Sequence, residues 1–107
     1  MWKKISIDKV GSIEKMVGEF VIWMPEMLPY AKMKIKVYED RNGKYTGYTD
    51  VRIIRKFDGS PEGAVGWGNS VEEALEDTIN YFIEMVEEDY AGRLEEENIE
   101  YSEYSDF

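Results

Sequence analysis

Residues 69–90 constrain this chain more than any other stretch. Val71, Ala74, Leu75, Ile79, Phe82, Ile83 and Val86 recur at the i, i+3, i+4, i+7 spacing of a core-facing helix. Ser70 followed by Glu73 is a capping box, so the start of the helix is set together with its face. The opposite face carries Glu73, Asp77, Asn80, Glu84, Glu87 and Glu88, and no lysine or arginine occurs between Val71 and Gly92. A face of one sign is unusual, because exposed helices ordinarily mix charges to gain i, i+4 pairs. Here Glu73/Asp77 and Glu84/Glu88 stack like charges.

The rest of the chain has to cover that helix. At 107 residues it is expected to form one domain with a single core. Residues 13–24 place Ile13, Met16, Val17, Phe20, Val21 and Met24 at helical spacing behind Ser12, and Pro25 stops the run. Residues 23–30 form an apolar connection, read as a loop closing over the core or as an exposed anchor for a partner. Residues 31–39 alternate, with Met33, Ile35 and Val37 on one face and Lys32, Lys34, Lys36 and Tyr38 on the other. Asn42-Gly43 is a hairpin signal, residues 45–57 are the returning strand with a bulge at Gly47, and residues 64–68 are a third strand.

The expected fold is therefore α+β, in the order α-β-β-β-α. A three-stranded antiparallel sheet carries two helices on one face. Residues 1–93 make the domain, and residues 94–107 make an acidic, aromatic tail. That tail holds Glu95, Glu96, Glu97, Glu100, Glu103 and Asp106 beside Tyr101, Tyr104 and Phe107. Such a segment orders on a partner, or folds back as a short helix or strand. Removing it is expected to lower affinity for a partner more than stability.

Gly66-Trp67-Gly68-Asn69-Ser70-Val71-Glu72-Glu73-Ala74 resembles the third-strand-to-helix junction of double-stranded-RNA-binding domains, which share the α-β-β-β-α order. In that family the helix opens with lysines that contact phosphates, whereas Glu72 and Glu73 reverse the charge here. The hairpin around Asn42-Gly43-Lys44-Tyr45, with Gly68-Asn69-Ser70-Val71-Glu72-Glu73-Ala74-Leu75-Glu76-Asp77, resembles HicB-type antitoxins. In its acidity the chain is similar to phage anti-defence inhibitors of the anti-CRISPR and antirestriction kind.

Charge and composition narrow the function. The net charge is −10, yet twelve of the thirteen basic residues precede Ser70 and 14 of the 23 acidic ones follow it. The chain has no cysteine and no histidine, which removes thiol chemistry and the commonest general base and metal ligand. No phosphate loop, dinucleotide glycine pattern or calcium loop is present, so neither an enzyme nor a cofactor is expected. The first residues lack the apolar core of a signal peptide, which makes a cytoplasmic protein without membrane contact the expectation.

The leading expectation is a small inhibitor that occludes the nucleic-acid site of a basic effector by charge mimicry. Its partner-binding residues are Glu73, Asp77, Glu84, Glu87, Glu88, Glu95, Glu96, Glu97, Glu100, Tyr101, Tyr104 and Phe107. An antitoxin or immunity protein has the same physics. The alternative of another class is a nucleic-acid-binding module acting through the sheet face that carries Lys32, Lys34, Lys36, Arg52 and Lys56. The repulsive net charge argues against direct binding of nucleic acid.

Overall fold

A computed structural model describes residues 1–103 and Phe107. Its elements are β1 (Lys15–Trp23), β2 (Lys32–Glu39), β3 (Tyr45–Ile54), β4 (Pro61–Gly68), α1 (Val71–Tyr90) and β5 (Ile99–Tyr101). Short 3-10 turns lie at Trp2–Lys4 and Glu96–Asn98. β1 to β4 form an antiparallel meander in sequence order, and β5 pairs with β3. The fold is thus α+β, with one helix rather than two among the described residues.

β1 stands where helical spacing predicts the first helix. Its residues Val17, Phe20, Val21, Ile22 and Trp23 are β-branched or aromatic and fit a pleated surface. The spacing has a local cause. Met16 pairs with Tyr38 and Gly18 with Val37, so Val17 is an extra residue in the ladder. Val17, Phe20 and Ile22 all pack against the core. The step from 17 to 20 spans three residues, which imitates a helical period. Among the described residues no strand forms around Ile5 and Ile7, although both are β-branched, and the 3-10 turn precedes that position.

The β2–β3 hairpin forms as expected. Asp40 Oδ1 accepts from the N–H of Asn42 at 2.8 Å and of Lys44 at 3.0 Å, and Gly43 takes a φ of 77°. Met33, Ile35 and Val37 are buried beneath α1 together with Val51, Ile53 and Ala64. From the helix Ala74, Thr78, Phe82, Met85 and Val86 complete that core. Burying a side chain the size of Phe82 contributes about 2–3 kcal/mol. Residues 23–30 close one end: Leu28 is buried and Met24 and Met27 pack on the core, while Trp23 and Tyr30 stay exposed.

Three glycines decide how closely α1 approaches the sheet. A Cβ on Gly66 would lie 2.3 Å from the Thr78 backbone nitrogen, and one on Gly68 would lie 2.6 Å from the Ala74 nitrogen. A Cβ on Gly47 would lie 2.3 Å from Thr78 Oγ1. Gly47 is therefore a contact point and not a bulge. The ladder irregularity in β3 falls between Tyr48 and Arg52 instead.

The segment after the helix is not a separate tail. Ala91 and Gly92 take left-handed conformations and end α1, with the Gly92 N–H donating to Val86 O. Leu94 is fully buried, and its N–H donates to Met27 O at 2.9 Å. β5 then pairs Ile99 with Ile53 and Tyr101 with Val51. Residues 94–101 thus belong to the sheet domain, which moves the expected boundary at residue 93.

Candidate functional site

α1 carries its acids on a rigid, capped element. Ser70 Oγ accepts from the Glu73 N–H at 3.1 Å, and Glu73 Oε1 accepts from the Asn69 N–H at 2.9 Å. Glu73 is therefore occupied by the cap. Asp77 Oδ2 accepts from the Trp67 N–H at 2.9 Å, which ties the helix flank to the outer edge of β4. Glu84 lines a groove of about 490 Å³ with Asp77, Asn80, Tyr81, Glu62 and the β4 backbone. Tyr81 donates to Glu62 Oε2 at 3.0 Å, and that hydrogen bond holds its phenol above the usual range.

The last turn is anchored by Arg55, a buried cation supplied by the residue after β3. Its Nε lies 2.7 Å from Asp89 Oδ2, and its Nη groups lie 3.1 Å from Glu62 and 3.6 Å from Glu88. The hydrogen bond from Arg55 holds Asp89 below the ordinary carboxylate range, and Asp89 raises Arg55 in turn. A depressed folded-state pKa stabilises above the unfolded value and is lost as pH falls through the folded one. Glu88 is thus partly neutralised. Among the described residues, Glu72, Glu76, Glu84 and Glu87 have neither an ion pair nor a cap to hold.

The other expected site residues lie apart from this flank. Glu95 offers its N–H to Asn98 Oδ1 and stands 3.9 Å from Arg93. Glu96 accepts from Tyr30, which raises the Tyr30 phenol. Glu97 is exposed. Glu100 pairs with Arg52, and Tyr101 donates to Lys32 O at 3.2 Å with its ring centroid 6.1 Å from Tyr30. Phe107 lies over Lys36, with Nζ 4.5 Å from the ring centroid. Tyr104 and Asp106 fall outside the described residues. The eleven described members of that set therefore divide between α1 and the segment that follows it.

The lysine face of the sheet is partly closed. Lys36 is 5% exposed beneath Phe107, Arg52 is paired with Glu100, and Tyr38 meets Tyr48 edge-on at 5.8 Å. Asp50 accepts from the Lys34 N–H, and its burial raises the carboxyl above its ordinary range. Among the described residues no group of three or more acidic side chains is placed to hold a metal ion. No helix among them is long and apolar enough to cross a membrane.

Glu62 and Tyr81 were not legible as site residues. Residues 58–63 read as a turn, whereas β4 already begins at Pro61 and points Glu62 toward the helix. Alternation back from Gly66 through Ala64 is the signal that finds it. Fold and site together define an acidic helix mounted on an antiparallel meander. No protein-family model, curated protein or solved structure matches the chain.

Proposed function

We propose that this protein is a small acidic inhibitor that binds a basic nucleic-acid-acting effector, a nuclease or defence protein of the CRISPR or restriction type, and occludes its nucleic-acid site. One observation carries this reading: α1 holds unpaired carboxylates where helix physics disfavours them. Glu87 has no ion pair and sits at the C-terminal end of α1, whose own last turn has no basic residue, so the macrodipole opposes it, and Glu72 and Glu76 stack like charges one turn apart. Six acids outside the Arg55 cluster lie from Glu72 to Glu87, a span of roughly 22 Å at 1.5 Å per residue. That is about one charge per 4 Å, somewhat sparser than the ~3.4 Å per charge along one strand of a duplex. An antitoxin or immunity protein acting on a basic toxin would use the same surface.

The reading that places nucleic acid on the sheet has less support. Lys36 is buried under Phe107 and Arg52 is engaged by Glu100, which leaves a weaker basic patch than the sequence suggests.

The test is charge reversal at positions that hold nothing else. Glu72→Lys, Glu76→Lys, Glu84→Lys and Glu87→Lys together spare the Glu73 cap, the Asp77 contact and the Arg55 cluster. The quadruple variant should keep its fold. Binding to the partner captured from the native host should slow by about 100-fold in association rate at low salt. An unchanged association rate contradicts the proposal.

A further inference from the structure

β4 is the last strand of the meander, and among the described residues no strand lies along its outer side. The direction of its backbone groups follows from two hydrogen bonds. The Ala64 N–H turns inward to Thr49 Oγ1 at 3.0 Å, and the Trp67 N–H turns outward to Asp77. Alternation then puts the N–H and C=O of Gly63 and Val65 on the outer edge. Unpaired edges are ordinarily blunted by lysine, proline or a covering element. Among the described residues Pro61 blunts the start of this edge and Asp77 covers the Trp67 N–H, while Gly63 and Val65 between them form the floor of the groove beside α1.

We infer that this edge receives an extended basic segment of the partner, which adds as a further strand to β4. The inference rests on the acidic-inhibitor reading and gives it an attachment point. Strand addition takes affinity from main-chain hydrogen bonds and specificity from alternate side chains. Every second side chain of the incoming strand would project to the helix side, where Asp77 and the unpaired Glu84 line the groove and Glu62 is already engaged by Arg55 and Tyr81. That composition selects lysine or arginine at alternate positions. Trp67, 63% exposed at one end of the edge, offers an aromatic surface to a lysine stem or a cation.

The probe is a synthetic peptide of alternating lysine and valine, titrated into the full-length labelled protein. Its control is the same sequence methylated on every backbone nitrogen, which keeps the charge and removes the donors. The unmodified peptide should shift the amide resonances of Gly63 and Val65, and methylation should weaken binding by about tenfold or more. Val65→Pro should give a similar loss, since proline is tolerated on an edge strand where its nitrogen faces outward. Should that variant fold poorly, the methylated peptide still decides the matter.

Equal binding of both peptides overturns strand addition while leaving the acidic surface standing as a charge-only site. Absence of shifts at Gly63 and Val65 also overturns it. So does a concentration-dependent shift of the same amides in protein alone, which would assign the edge to a second copy of the chain. Reversal of Glu72, Glu76 and Glu87 alone tests the inhibitor reading separately, because none of these three lines the groove or supplies an edge hydrogen bond.

Discussion

Replacing Gly66 with alanine should destabilise the domain by at least about 3 kcal/mol, a large share of a typical domain's 5–15 kcal/mol. The added Cβ would stand 2.3 Å from the Thr78 nitrogen and 2.7 Å from its Cα. Both are backbone atoms, so relief requires the whole helix to move. Gly47→Ala meets the same residue differently. Its Cβ would lie 2.3 Å from Thr78 Oγ1 but 3.3 Å from Thr78 Cβ and 3.4 Å from the Ala74 oxygen. Thr78→Ala should therefore rescue Gly47→Ala, with a coupling of about 1 kcal/mol or more, and should not rescue Gly66→Ala. Denaturant midpoints for the five variants (three single, two double) measure this. Equal rescue of both glycine variants would show that the helix yields as a body.

Ending the chain at Arg93 should cost about 4 kcal/mol or more of stability. The truncation removes Leu94, which is fully buried, and Ile99, which packs on the core. It also leaves the β3 edge at Val51–Ile53 without the strand that pairs it. A chain ending at Ser102 keeps all of these contacts and should stay within about 1 kcal/mol of the full chain. This reverses the expectation that residues 94–107 act mainly in binding. Thermal unfolding of both truncations separates the cases, and a stable chain ending at Arg93 would contradict the placement of β5.

The helix and the hairpin were legible because their local signals agree with their tertiary roles. Ser70 and Glu73 cap what the periodicity of Val71 to Val86 predicts, and Asp40 closes the turn that Asn42-Gly43 announces. Two core residues of α1 escaped the pattern. Thr78 is a hydroxyl that satisfies itself on Ala74 O at 2.7 Å, and Met85 falls between the recognised positions. β1 was misread because a single extra residue at Val17 shifts an alternating strand into a three-residue step. β5 is three residues long, acidic at its centre, and held mainly by non-local pairing with β3, so no window of sequence marks it. The acids of α1 were visible as a face. Glu73 could be read as part of the cap, but the roles of Asp77, Glu88 and Asp89 could not, because those depend on Trp67 and Arg55 of other elements.

Whether the acidic helix displaces nucleic acid from a basic partner is decided by a competition titration. The captured partner is loaded with a fluorescent duplex and titrated with this protein at low and at moderate salt. Displacement should be complete at one equivalent of inhibitor per site. It should fail with the Glu72, Glu76, Glu84 and Glu87 charge-reversal variant at either salt concentration. A stable ternary complex, with the duplex still bound while this protein occupies the partner, would contradict the account.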